Sequence, residues 1–180
     1  LANVHCAQCV ADALTFPDAC FDADVCRFGS IFFPDPAGGI LELLRVVKAS
    51  GRVACAVWAA SEVNPFHYVC ADILSKYVPL PPVGPDEHGA FRFAPPGKLA
   101  SVFEKAGAVQ VQEKVLKFTI EADKSPEEFW QLRSEMSEII REKIKRLSPE
   151  FRKWLTEDAL KVLPGFFSNG KMRFPAQVLI

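Results

Sequence analysis

The chain has 180 residues, of which 49% are hydrophobic and 15 are Phe, with a formal net charge of −1 and a pI near 6.4. That length and apolar share support a folded domain with a sizeable core and exclude a disordered segment. The near-zero charge leaves no whole-chain basic field for nucleic acid or an anionic membrane. No apolar run reaches the about 18–20 residues of a membrane span.

The chain starts at Leu1, as a fragment or a processed chain would, and no leader segment is expected from its first residues. Six cysteines stand at 6, 9, 20, 26, 55 and 70. "CAQC" (Cys6 to Cys9) has the spacing of a redox motif or a zinc half-site. A zinc site needs a second close pair, which Cys20, Cys26 and Cys55 do not offer. The six read mainly as small buried apolar residues of a reducing cytoplasm, with no metal site.

"ADVCRFG" (Ala23 to Gly29) is a short apolar run bounded by Asp22 and Gly29, as expected for a strand buried on both faces. "GGILELLRVVKASG" has apolar residues at Ile40, Leu43, Leu44 and Val47, which is helical spacing. Lys48 falls in its last turn and Gly51 at its stop. "RVACAVWA" (Arg52 to Ala59) is a second continuous apolar strand. Strand, helix, strand with short connections is a βαβ unit and predicts a parallel pair.

Asn64 is the expected N-cap of the next helix, with Pro65 at its first position. "PLPPVGPDEHG" (Pro79 to Gly89) reads as a connector. "PPGKLASVFEKAGA" is an amphipathic helix ending at Gly107, and "VQVQEKVLKFTI" (Val109 to Ile120) alternates like a half-exposed strand. From Ser125 to Leu163 the chain reads as helical. "SPEE" supplies a cap, a first-turn proline and acidic residues, and "SPEF" starts a second helix. Asn169-Gly170 is a hairpin turn before a final strand.

The stretch from "LTF" through "FD", "ADVCRFG", "FPDP" and "KASG" to "RVACAVWA" (Leu14 to Ala60) resembles the middle of a class I S-adenosylmethionine-dependent methyltransferase. The pattern is similar to the small-molecule branch related to ubiquinone and menaquinone biosynthesis, and "GKMRFPAQVLI" looks like that family's last, antiparallel strand. The resemblance implies an α/β fold: a partial Rossmann-like sheet, mostly parallel, with residues 1–180 as one domain forming its C-terminal two-thirds. Residues 121–165 would be a helical lid insert. It implies S-adenosylmethionine as cofactor and methyl transfer to a small, apolar acceptor. The family's Gly-x-Gly loop has no counterpart in the sequence. A binding or assembly module that lost the cofactor half is therefore the competing reading, and a thiol-redox or zinc protein built on Cys6 and Cys9 a third.

Carried onto this chain, the resemblance puts the loop Arg27, Phe28 and Gly29 beside the cofactor's methionine moiety. Asp12 either replaces the acidic residue that receives the adenine amino group, or that contact is lost. Phe28 has core packing as its plain alternative, and Arg27 a surface ion pair. Trp58 ends a strand where pockets open in α/β sheets. Phe33, Phe129 and Trp130 would line the substrate side, with Phe32 and Met136 completing an apolar lid; the alternative is packing under the helices. His67, in the first turn of its helix, is the candidate general base, or a helix-face histidine without a duty. "REKIKR" (Arg141 to Arg146) is most simply a solvated basic face. Without the family's first two strands, "ADVCRFG" becomes a sheet edge, through which a homodimer is expected.

Overall fold

A computed structural model describes residues 3–79, 84 and 86–180. Part of the Pro/Gly-rich connector of residues 79–89 therefore lies outside the described residues. The described chain gathers into two compact units. Of the described residues, those within 1–60, 85–116 and 178–180 form unit 1, and those within 61–84 and 117–177 form unit 2.

In unit 1, β1 (Phe21–Arg27) is followed by α1 (Pro36–Val46) and β2 (Val47–Trp58), and the two strands pair in parallel as the βαβ reading requires. Asp35 caps α1, accepting from the Ala37 N–H at 3.0 Å, with Pro36 at the first helical position. The helix ends earlier than expected, and Lys48 lies in the strand. Between the pairs Phe21↔Val47 and Ala23↔Arg52 the register slips, so "KASG" forms a bulge. Lys48 Nζ meets Asp22 at 2.6 Å there, and a Cβ on Gly51 would stand 2.6 Å from the Asp22 carbonyl oxygen. Gly51 is thus required by a close backbone approach within β2, not by a helix stop.

β1 corrects the expectation of a strand buried on both faces. Among the described residues it is an outermost strand, paired with β2, and Val25 is 79% exposed. The sequence's other expectation, that this strand forms a sheet edge, matches its place. The segment before β1 is held by α1. Arg45 donates to the carbonyls of Leu14 (3.0 Å) and Phe16 (2.9 Å) and pairs with Asp18, while Glu42 accepts from the Leu14 N–H at 2.8 Å. α3 (Lys98–Lys105), which ends one residue before Ala106 and Gly107 as its sequence suggests, lies against α1. Its neighbour strand starts late: β3 spans Val115–Ala122, and residues 109–113 are not a strand. Lys114 nonetheless exchanges both backbone hydrogen bonds with Ile180, at 2.7 and 2.9 Å. The C-terminal tip, Val178 and Leu179, pairs antiparallel with Trp58 and Val57.

In unit 2, α2 (Pro65–Ser75) is joined by α4 (Pro126–Met136), α5 (Glu138–Lys145), α6 (Pro149–Val162), β4 (Phe167–Ser168) and most of β5 (Lys171–Leu179). Ser125, Ser137 and Ser148 cap the three consecutive helices, and Ser125 with Glu128 forms a full capping box. The Ser137 cap breaks the long helical stretch into two. Asn169 (φ 52°) and Gly170 (φ 72°) make the expected tight turn between β4 and β5. β3 neighbours β5, and the ion pairs Glu121–Arg173 and Asp123–Lys171 step in opposite directions along the two strands, as an antiparallel pair requires. Asn64 precedes α2 but does not cap it with its side chain. Fully buried, it donates to the Gln177 carbonyl at 3.0 Å and accepts from the Gln177 N–H at 2.9 Å, taking the place of a strand neighbour.

The core of unit 2 is aromatic. Phe174 is fully buried, with Phe66, Phe129, Phe166 and Phe167 around it at ring-centroid distances of 4.6–6.2 Å. Among the described residues no helix is long and apolar enough to cross a membrane.

Candidate functional site

The C-terminal ends of β1 and β2 in unit 1 bring together the loop residues 27–30. The Phe28 N–H donates to the Ala56 carbonyl at 2.9 Å, extending the parallel ladder one step past β1. Phe28 then turns into the left-handed region, at φ 61°. For a residue with a Cβ this costs about 1–2 kcal/mol. The turn lays the Phe28 ring flat on Trp58, with centroids 4.4 Å apart and planes within 4°. A stacked pair returns about 0.5–1.5 kcal/mol beyond its buried area, which offsets much of that strain. The Arg27 guanidinium stands over the same ring at 5.6 Å, its side chain otherwise turned to solvent.

Gly29 opens a short 3-10 turn, Ser30–Phe32. That turn passes close to the Cys26 sulfur, which a Cβ on Gly29 would approach to 2.9 Å. Cys26 is also the register partner of Cys55 on β2. The neighbouring Cys55 thiol, then the backbone N–H groups of Ser30 and Gly29, bring the Cys26 thiol down to about 6 against the opposing effects of burial and of Asp24. The same contact, with burial, pushes Cys55 strongly up. Burial raises the Asp24 carboxyl too. The Ser30 hydroxyl is buried and without a hydrogen-bond partner among the described residues.

Of the residues expected to act, the structure joins Arg27, Phe28, Gly29 and Trp58 in this one place. Phe33 follows on the same turn. Its ring lies against the backbone of Gly39 in α1, and its carbonyl accepts from Arg92 at 2.6 Å. Phe32 is 63% exposed. Asp12 sits at a turn closed by the Ala13 N–H on the Val10 carbonyl, with its Cβ beside Gly38 in the first turn of α1.

The other expected residues belong to unit 2. His67 is half-buried, its ring edge-on to Phe66 at 5.4 Å, and the Arg133 guanidinium lies over Phe66 at 4.9 Å. Burial, then the Arg133 charge, lowers His67 to about 4, so it is neutral throughout the physiological range. Phe129 is fully buried against Phe174 and presents no face to a ligand; Trp130 is mostly buried, but lines a groove of about 250 Å³ with Gln131, Ser134, Glu135 and Arg152. A larger groove, about 490 Å³, runs beside Tyr68, Asp72 and Glu62. Neither groove includes the loop at residues 27–30. Cys6 and Cys9 are exposed, and among the described residues no group of His, Cys, Asp and Glu gathers where a metal ion could sit.

The sequence reading missed the Cys26–Cys55 pair. Its available signal was that Cys26 lies one residue and Cys55 three residues before the ends of two strands expected to pair in parallel.

Residues 1–55 match the family model described as "Methyltransferase domain". A search of curated proteins finds no match. Among solved structures the chain is similar to a protein from Bacillus halodurans whose description is that of a candidate methyltransferase. Identity is 17% and the TM-score 0.54, over 99% of this chain and 76% of the other. It is also similar to the YcgJ protein from Bacillus subtilis, at 17% identity and a TM-score of 0.50, over 96% of this chain and 68% of the other. At such identities the likeness is one of fold.

Proposed function

For a chain with the class I methyltransferase fold, whose residues 1–55 match the methyltransferase domain model, we propose S-adenosylmethionine-dependent methyl transfer to a small, apolar acceptor. The observation that carries this reading is the Phe28–Trp58 stack at the C-terminal ends of two parallel strands. Ligands of open α/β sheets bind at that end. The residues present fit the methionine end of the cofactor. The Arg27 guanidinium suits its carboxylate, and the half-buried Phe28 side chain beside it suits its aliphatic part. The chain holds no Gly-x-Gly run, so the fit extends to one half of such a pocket.

When bound, the cofactor supplies an electrophilic methyl on a sulfonium. The chain's part is to position the acceptor and exclude water, and methyl transfer draws its rate largely from such positioning. Phe32 and Phe33 are suited to an apolar acceptor. His67 in its lowered state is a weak base, so the reading does not depend on proton removal by it. The proposal also includes a homodimer through the unpaired side of β1, whose exposed Val25 favours pairing with a second copy. It includes a cytoplasmic location too, with which six unbridged cysteines accord.

Calorimetric titration with S-adenosylmethionine and its demethylated product tests the reading. Micromolar binding that Trp58→Ala and Arg27→Ala weaken is the expected result. Absence of binding at millimolar ligand would overturn it in favour of a non-catalytic binding module. Sedimentation at micromolar concentration tests the dimer, which a compact monomer would exclude.

A further inference from the structure

We propose that Cys26 and Cys55 form a peroxide-sensitive thiol pair, with Cys26 as the attacking sulfur and Cys55 as the resolving one. The proposal is independent of methyl transfer. It rests first on register: the two residues are direct partners on adjacent parallel strands, so their side chains leave the same face. Strand spacing of about 4.8 Å is within the Cα separations that a disulfide spans. It rests next on the loop that follows. The turn at Gly29 and Ser30 passes close to the Cys26 sulfur, and its backbone N–H groups favour the thiolate there. Gly29 makes this possible, because a Cβ there would stand 2.9 Å from that sulfur. The buried Ser30 hydroxyl, with no partner among the described residues, leaves a further polar atom on the same turn. Cys26 is half-buried and lies on the outermost strand, whereas Cys55 is 5% exposed.

These surroundings divide the labour. Cys26 carries the thiolate near neutrality and Cys55 keeps its proton. Asp24 is the charged group acting on both, and it opposes ionisation of each. The Cys26 thiolate attacks one oxygen of hydrogen peroxide. An S–O bond forms, the O–O bond breaks, and hydroxide leaves to become water. The Cys55 sulfur then attacks the Cys26 sulfenic acid. The S–S bond forms, the S–O bond breaks, and the departing hydroxide takes the Cys55 proton as a second water. Two thiols and one peroxide give one disulfide and two waters.

The test treats the reduced, intact chain with hydrogen peroxide, quenches it, unfolds it in iodoacetamide and maps the labels by mass spectrometry. Alkylation of Cys26 and Cys55 should be lost together and return after dithiothreitol. In Cys55→Ser, a dimedone adduct should collect on Cys26. A second measurement needs no variant: iodoacetamide labelling of native Cys26 against pH should be half-maximal near about 6. The proposal is overturned if both cysteines remain alkylable while exposed Cys6, Cys9 and Cys20 oxidise. Pairing of Cys26 with Cys20 would equally remove Cys55 from the resolving role, and an ordinary thiol midpoint would remove Cys26 from the attacking one.

Discussion

Unit 2 wraps five phenylalanines into one another, and unit 1 leaves most of an outermost strand exposed. In unit 2 the aromatic rings satisfy each other: Phe174 sits among four more, fully hidden. In unit 1 the aromatic pair that matters, Phe28 and Trp58, is assembled by a strained turn at the ends of two strands, and β1 beside it shows Val25 to solvent. Burial is concentrated where the rings are shared, whereas the proposed chemistry is placed where backbone geometry, thiols and a cation meet at a strand end. Sequence alone makes both regions look alike, since both are rich in Phe.

The contrast can be broken most sharply at Phe174. Phe174→Ala should destabilise the protein by about 3–5 kcal/mol, measured by denaturant unfolding, because its neighbours cannot collapse into the space. A loss under 1 kcal/mol would mean that unit 2 is not a packed core. Asn64→Ala should cost about 2 kcal/mol in the same assay, since it leaves the part-buried Gln177 N–H and carbonyl without this partner. A graded effect follows from His67. Its folded value of about 4 lies below the ordinary 6.5, so the unfolded chain binds the extra proton between those values. Stability should therefore be fully present above pH 6.5 and fall as pH drops towards 4, a slope that His67→Gln should flatten. The smallest effect is expected at the open strand: Val25→Lys should change stability by no more than about 0.5 kcal/mol. It should also abolish any self-association through β1. A large loss of stability there would show that the strand is covered and that the contrast is misdrawn.

Much of the architecture was legible because local signals agreed with it. The parallel β1–α1–β2 unit, the capping serines at 125 and 148, and the Asn169-Gly170 turn each follow from residues acting on their immediate neighbours. Expectations failed where distant partners decide. Asn64 has the composition of a cap, but Gln177, remote in sequence, claims its amide. "KASG" has the composition of a helix end, but the Asp22 backbone draws it into a bulge. Alternation alone predicted a strand from Val109, whereas ladder hydrogen bonds begin only at Lys114. At the candidate site, the resemblance picked out Arg27, Phe28, Gly29 and Trp58, which the fold does bring together. It could not indicate the thiol pair beneath them, because a cysteine's neighbours are set by strand register.

The chain passes between its two units after Ala60, after Gly84, after Leu116 and after Gln177. Neither unit is therefore an uninterrupted stretch of sequence. An unbroken stretch long enough to contain all of either unit also contains part of the other. A crossover that swapped either unit whole would therefore have to join chains at several places at once, whereas Cys26, Arg27, Phe28, Cys55 and Trp58 all lie within the first stretch and would travel together.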